Sequence, residues 1–80
     1  MKKIINGVLF DTEKMELVAT KTQFVETISL YKGKSRYAVM NTHPFESCIS
    51  ELSENEFKKL LGELNAEKYI ELYGDTLEEA

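Results

Sequence analysis

The only histidine and the only cysteine of the sequence, His43 and Cys48, lie within six residues of each other, with Glu46 between them. Imidazole, thiolate and carboxylate are ligands of zinc, and a thiol beside an imidazole can act as a nucleophile. A structural zinc site needs four ligands, however, and the chain has no second cysteine or histidine. A catalytic cysteine needs a base and a group that orients the base, and no such pattern is present. We therefore expect a surface histidine and a half-buried cysteine, with no metal, no cofactor and no enzymatic activity.

A second candidate site combines basic and aromatic residues in the middle of the chain, at Tyr31, Lys32, Lys34, Arg36 and Tyr37. Basic residues interleaved with aromatic ones can bind nucleic acid through charge and base stacking. Three positive charges are few for this purpose, and ordinary sheet packing around a charged loop is the alternative interpretation. A nucleic-acid-binding accessory or regulatory protein is therefore the second functional hypothesis.

Charge is divided unevenly along the chain. Residues 1–44 contain seven Lys/Arg and four Asp/Glu, whereas residues 45–80 contain three and ten, and the net charge is −4. This balance argues against a general DNA-binding protein, because affinity for phosphate requires concentrated positive charge. An acidic surface suits a basic partner, such as the nucleic-acid groove of another protein, although acidic helices also keep small proteins soluble. The acidic face that we predict to bind a partner comprises Glu54, Glu63, Glu67, Glu71 and Asp75.

Turn residues and period-two alternation predict the strands that would position these side chains. Asn6-Gly7 is the favoured pair for a two-residue type I′ turn and predicts an N-terminal hairpin. Residues 12–20 form a turn followed by the alternation of a strand, and a helix is the alternative there. The clearest strand pair covers residues 24–31 and 35–41. Phe24, Ile28 and Leu30 fall on one face of the first strand, and Tyr37 and Val39 fall on one face of the second, as in an antiparallel sheet with one buried face.

Local signals predict two helices after the strands. Ser53 and Glu56 form a capping box, and Leu52 with Phe57 has the spacing of a hydrophobic staple. An apolar stripe then follows with helical periodicity at Phe57, Leu60, Leu61 and Leu64. Asn65 is a candidate cap for a second helix, and Gly74 is a candidate C′ residue at its end. Gly62 inside the first helix indicates either close packing or a place where another molecule docks.

This order of elements predicts an α+β fold, with an N-terminal antiparallel sheet of about four to five short strands followed by two C-terminal helices packed on one face. We expect one domain over residues 1–80. It would be β-rich over 1–44 and helical over 50–74, with a frayed acidic tail over 75–80. We expect residues 42–50 to form an ordered loop.

Composition also bears on location. Hydrophobic residues make up 42% of the chain, and no apolar run approaches the roughly 20 residues that span a bilayer. The apolar part of the first seven residues is too short for a signal peptide, and a single cysteine gives no internal disulfide. We therefore expect a cytoplasmic protein, and the sequence leaves a homodimer open.

Five segments of the sequence resemble a group of small proteins from plasmids, phages and integrative elements of Gram-positive bacteria. The segments are Met1–Gly7, Phe10–Glu13, Leu30–Tyr37, Leu52–Glu56 and Ala66–Glu71. They cover both ends and the middle of the chain, and their residues are those of turns, caps and cores. Longer versions of the family carry a Gly-rich loop after the central hairpin, whereas Asn41–Cys48 contains no glycine. A role of that loop therefore does not transfer to this chain.

The resemblance implies a biological setting and no common activity. Small acidic proteins of mobile elements are often inhibitors of host defence, anti-CRISPR proteins among them, and some bind an RNA-guided nuclease where nucleic acid would lie. The leading hypothesis is therefore a non-enzymatic binding protein of a mobile element that inhibits or modulates a host nucleic-acid-handling protein, such as a CRISPR effector nuclease.

Overall fold

The computed structural model describes residues 1–78 as an α+β fold in which strands precede helices, as predicted. The elements are β1 (Lys2–Ile5), β2 (Val8–Asp11), β3 (Glu16–Gln23), β4 (Glu26–Lys32), β5 (Tyr37–His43), β6 (Glu46–Leu52), α1 (Glu54–Leu64), α2 (Ala66–Tyr73) and a 3-10 turn at Gly74–Thr76. The strands form a two-stranded sheet, β1-β2, and a four-stranded sheet of order β3-β4-β5-β6, both antiparallel. The prediction of one sheet with four to five strands is therefore wrong, because β1 and β2 form their hydrogen-bonded ladder only with each other.

The N-terminal hairpin has the predicted turn. Asn6 and Gly7 adopt φ of 50° and 78°, and a type I′ turn requires positive φ at both of these positions. The chain turns again after β2, where the Asp11 side chain accepts a hydrogen bond from the Glu13 amide at 3.0 Å. The Asp11 carbonyl also accepts from the Lys14 and Met15 amides, so this turn is closed locally before β3 begins.

Residues 16–23 form a strand, which excludes the helical alternative for this segment. The predicted alternation is broken by a bulge between Leu17 and Ala19. Consequently Val18 and Ala19 are both buried, whereas Leu17 is 52% exposed. A bulge opposes two residues to one on the partner strand, and this shifts which side chains face the core.

The two central strands begin two residues later than predicted and end one and two residues later, respectively. Phe24 belongs to the turn between β3 and β4, where its φ is +53° and its side chain is fully exposed. The prediction that Phe24 lies on the buried face is therefore wrong. The expected pairing of the two strands is confirmed, with Leu30 opposite Val39 and Tyr31 opposite Ala38.

Residues 42–50 are not a loop. His43 ends β5, Pro44 and Phe45 form a tight turn, and the chain returns as β6. Only Ile49 of the predicted loop is buried, so the segment lacks the alternation of apolar and polar residues that usually reveals a strand. The helical region accordingly starts at Ser53 and not at residue 50.

Both helices start as predicted. The Ser53 hydroxyl accepts from the Glu56 amide at 3.1 Å, and the Glu56 carboxylate accepts from the Ser53 amide at 3.0 Å. Asn65 caps α2 by accepting from the Lys68 amide at 3.0 Å. Gly74 has a right-handed φ of −57°, so it does not act as a left-handed C′ residue. Residues 74–76 continue into a 3-10 turn, which includes the first two residues of the frayed tail expected over 75–80, and residues 79–80 of that tail lie outside the described residues.

Both faces of the four-stranded sheet are covered by other elements, whereas the sequence predicted helices on one face only. Its first face packs against the helices in a cluster that includes Leu30, Phe57 and Leu61. Its second face packs against the N-terminal hairpin in a cluster of Phe10, Ala38 and Ile49. The Lys3 ammonium joins the hairpin to β6 by donating to the Ile49 carbonyl at 3.1 Å.

The helices and the N-terminal hairpin cover only one half of the four-stranded sheet. The other half, which we call the outer half, comprises residues 20–28 and 41–48, and its side chains are exposed or half-buried. A hydroxyl pair joins two of its strands, with Thr22 and Thr27 at 3.0 Å, and at its border Thr20 pairs with the buried Ser29 at 3.1 Å. The outer half ends in the two turns that hold Phe24 and Phe45.

Candidate functional site

The five acidic residues of the predicted partner-binding face are all exposed on or just after the two helices. Two of them form ion pairs within their own helix. Lys58 lies 3.3 Å from Glu54, and Lys68 lies 3.6 Å from Glu71. Within residues 1–78, the three others, Glu63, Glu67 and Asp75, make no ion pair. These three carboxylates therefore carry most of the uncompensated negative charge of the set.

Helix geometry places some of these five acidic residues on different sides of the helices. Successive residues of an α-helix are rotated by about 100°, so Glu54 and Glu63, nine residues apart, lie on roughly opposite sides of α1. Glu67 and Glu71 are four residues apart and share one side of α2. The acidic residues thus lie on more than one exposed side of the helices and do not form one flat face.

The basic and aromatic candidates are also divided by the fold. Tyr31 packs with the hairpin-side cluster and Tyr37 with the helix-side cluster, so their rings lie on opposite faces of the sheet. Arg36 forms a 2.8 Å ion pair with Glu51. Lys32 and Lys34 remain exposed at this end of the sheet. A single stacking platform cannot include both tyrosines, which weakens the nucleic-acid hypothesis.

A tyrosine cluster fills the space between α1, α2 and the sheet. The rings of Tyr69 and Tyr73 have centroids 5.3 Å apart, and the Lys58 ammonium lies 4.7 Å from the centroid of the Tyr73 ring. Burial, and then the neighbouring Tyr37 hydroxyl, raise the pKa of Tyr73 from 10.0 to about 12. A phenol with a raised pKa stays neutral at physiological pH, so we interpret this cluster as packing.

His43, Glu46 and Cys48 all lie in the outer half of the sheet. The His43 imidazole Nε2 is 3.8 Å from a carboxylate oxygen of Glu26, and Cys48 is exposed, where a half-buried side chain was expected. The ladder places His43 opposite Glu46 and Cys48 opposite Asn41, roughly 7 Å further along the strands. Among residues 1–78, no group of three potential ligands is placed to hold a metal ion.

The sequence did not reveal an apolar patch at the end of the outer half. We call it the aromatic tip, and it consists of Phe24 and Val25 in one turn and Pro44 and Phe45 in another. Both phenylalanines are fully exposed, and Val25 is 69% exposed. The Pro44-Phe45 pair between two polar stretches is a turn signal that could have located half of the tip. Phe24 lies in a turn with a positive φ, which no local pattern indicates.

A shallow apolar depression lies between the two helices. We call it the helix groove, and it measures about 610 Å³. It is lined by Asn55, Lys58, Lys59, Gly62, Ala66, Tyr69, Ile70 and Leu77. Ile70 of α2 is 58% exposed. The helix groove is therefore an apolar surface that the fold does not bury.

Within the described residues, no helix is long and apolar enough to cross a membrane.

Comparison with known proteins assigns the chain to no family. No protein-family model, curated protein or solved structure matches the chain. The resemblance to proteins of Gram-positive mobile elements consequently stays an expectation, and the function has to be inferred from the surfaces described above.

Proposed function

We propose that this chain is a non-enzymatic binding protein of a mobile element that inhibits or modulates a host nucleic-acid-handling protein, with an RNA-guided CRISPR nuclease as the first target to test. The observation that carries the proposal is the exposed negative charge of the helical segment. From residue 53 to residue 78 it contains seven carboxylates and three lysines. Such a surface is complementary to a basic groove that normally holds nucleic acid.

The distribution of charge supports docking into a groove more than docking onto a flat surface. Glu63 and Glu67 lie near the junction of α1 and α2, and Glu54 lies on another side of α1. Acidic side chains on several sides of a helix pair can contact both walls of a cationic channel. On the exposed sides of the helices, this arrangement resembles the dense negative charge of a nucleic-acid backbone.

The decisive experiment measures the binding of this protein to a purified guide-loaded CRISPR nuclease from a Gram-positive bacterium, together with cleavage of its DNA target. We expect inhibition of cleavage, and an affinity that falls as salt rises because the contacts are electrostatic. Double reversal of Glu63→Lys and Glu67→Lys should weaken binding about tenfold or more.

A matched control is the reversal of Glu13→Lys with Glu16→Lys. Both residues are exposed, the change in net charge is identical, and neither lies on the helices. The control should bind as the wild type does. Equal weakening by both variants would mean that only the net charge matters, and unchanged binding of the helix variant would reject the acidic surface. If the wild type does not bind the nuclease, this target is wrong.

The basic hairpin gives the second candidate function, because Lys32 and Lys34 are exposed at one end of the sheet. Direct nucleic-acid binding would appear as a complex with single-stranded oligonucleotide at low salt that dissociates steeply as salt rises. Absence of a complex at low salt would reject this function without affecting the first proposal.

A further inference from the structure

The four-stranded sheet has two edge strands, β3 and β6, and they differ in what lies beside them. The Ile49 carbonyl of β6 accepts a hydrogen bond from the Lys3 ammonium at 3.1 Å, and β1 lies next to this edge. Within residues 1–78, β3 pairs with β4 alone, and with eight residues it is the longest strand. A long edge strand with unpaired backbone groups is a template for pairing with another strand.

The turn after β3 indicates which backbone groups of this strand point away from β4. Gln23 and Glu26 are partners that close a two-residue turn, and such a closing pair is hydrogen-bonded. Backbone groups alternate in direction along an edge strand, so Thr22 and Thr20 direct their amides and carbonyls outward. The bulge opposes two residues to one on β4, so beyond it Leu17 is the next outward residue.

The bulge also places Glu16 and Lys21 on the same face of the sheet. They lie opposite Lys32 and Ile28 of β4, which are four positions apart and therefore share a face. On a regular strand, residues five positions apart face opposite sides. Both side chains are exposed, and within residues 1–78 neither forms an ion pair. One acidic and one basic side chain are thus placed symmetrically about the bulge.

This symmetry makes the β3 edge complementary to itself. Two copies of β3 can run antiparallel about a two-fold axis at the centre of the bulge. Glu16 of each copy then lies opposite Lys21 of the other, so two Glu–Lys pairs form across the axis. In the same register Leu17 lies opposite Thr20 of the second copy, and both direct their backbone groups outward. Face, backbone direction and charge therefore agree in one register.

We infer that this chain forms a two-fold symmetric dimer in which the β3 edges of two copies join their four-stranded sheets into one sheet of eight strands. A lysine and a bulge on an edge strand usually discourage such pairing. Here the second copy carries the same bulge at the same level, and each lysine meets a glutamate. An axis at Lys21 would instead place two lysines opposite each other, so charge selects the register.

The interface consists of one strand edge from each copy, so it is small. We expect a dissociation constant on the order of 100 µM. The inference does not depend on the proposed function, because Glu63 and Glu67 are not part of this edge and a monomer presents the same acidic helices.

Charge reversal tests this register with the purified protein alone. Glu16→Lys gives an edge with two lysines, and Lys21→Glu gives an edge with two glutamates. In either variant like charges would face each other across the axis, so its dissociation constant should rise about tenfold or more. Glu13→Lys in the turn before β3 and Lys59→Glu on α1 make the same charge changes at exposed positions and are the matched controls. All four substitutions are at exposed positions, and circular dichroism verifies folding.

The two single variants should complement each other. An equimolar mixture of Glu16→Lys and Lys21→Glu chains places a lysine opposite a glutamate at both positions, so it should form a heterodimer about as strongly as the wild type dimerises. The double variant, with both substitutions in one chain, should form a homodimer again. The matched controls should dimerise as the wild type does.

Sedimentation velocity, over a concentration series that reaches about tenfold above the expected constant, measures the association. A wild type that stays monomeric over this range would overturn the inference, and so would assemblies larger than a dimer, because the two-fold contact uses the β3 edge of both copies. Wild-type affinity of either single variant, or equal weakening by its matched control, would also overturn it. The same holds if neither the mixture nor the double variant associates more strongly than the single variants.

Discussion

The rings of Tyr37 and Phe57 meet with their centroids 4.4 Å apart and their planes tilted by 32°. Tyr37 is the first residue of β5, and Phe57, one turn into α1, is fully buried. This aromatic pair attaches the first helix to the sheet directly after the β6–α1 junction. The capping box sets where that helix starts, and the ring pair sets where it packs.

Replacement of the buried Phe57 ring should therefore strongly destabilise the fold. We expect Phe57→Ala to lower the free energy of unfolding by about 3–5 kcal/mol, from lost burial and the cavity left behind. That is a large part of the stability of a domain of this size, so the variant should unfold at a much lower urea concentration than the wild type. Urea denaturation followed by circular dichroism measures the change. Phe45→Ala removes an equal ring from an exposed position and should change stability by less than about 0.5 kcal/mol.

The N-cap of α1 gives a second prediction. Ser53→Ala removes the acceptor of the Glu56 amide and should cost about 1 kcal/mol. The matched control is Ser47→Ala at an exposed position of the outer half, which should leave the unfolding midpoint in urea nearly unchanged. If both variants lose the same stability, the capping contact would contribute nothing beyond a general effect of losing a hydroxyl.

The turn at Phe24 predicts a gain in stability. Phe24→Asn replaces a bulky residue at positive φ with one that tolerates this conformation, and the ring it removes is fully exposed. We expect the free energy of unfolding to rise by about 1 kcal/mol. Thermal and urea denaturation of the monomer at low concentration measure the change. A loss of stability would show that the ring makes contacts within the chain in solution.

Alkaline pH should weaken the packing of the tyrosine cluster. The pKa of Tyr73 is raised from 10.0 to about 12 in the folded state, so the folded protein holds this proton more tightly than the unfolded chain does. The associated stabilisation is fully present below pH 10, and it is lost as pH rises from 10 towards 12. Tyr73→Phe should flatten this part of the stability profile, measured by urea denaturation at several pH values. An unchanged slope would assign the alkaline loss to other groups.

Local hydrogen-bonding patterns made parts of the fold predictable from sequence. The turn at Asn6-Gly7 and the caps at Ser53 and Asn65 each depend on residues at most four positions apart, so their chemistry is complete within a short window. The alternation around Leu30 and Val39 correctly indicated a strand pair, because these two side chains pack on the helix side of the sheet while their neighbours Tyr31 and Ala38 face the hairpin side.

The missed features depend on tertiary structure. The bulge at Val18 shifts the strand by one residue and depends on the pairing with β4 and packing against α1. The strand β6 carries little alternation because its first three residues, 46–48, lie in the outer half, where both faces are exposed, and Ile49 is its only buried residue. The prediction that β1 and β2 would join the main sheet did not allow for a hairpin packed on its face.

The site predictions found exposed residues but not their relative positions. Charge along the sequence correctly indicated exposed carboxylates on both helices. It could not indicate that Lys58 and Lys68 pair with two of them, or that Tyr31 and Tyr37 face opposite layers. The aromatic tip was missed because Phe24 was assigned to the core by alternation alone.

The helices and the N-terminal hairpin cover only one half of the four-stranded sheet. Each long strand is therefore divided into two parts that should differ in their dynamics. Amide protons near Leu30, Ala38 and Ile49 lie between two packed layers, so they should exchange with solvent only through large unfolding events. Those near Thr22, Thr42 and Ser47 are held by strand pairing alone and should exchange through local fraying. The boundary of cooperative unfolding would then run across the strands and not between them. The end that carries the exposed rings could reorganise on contact without loosening the core.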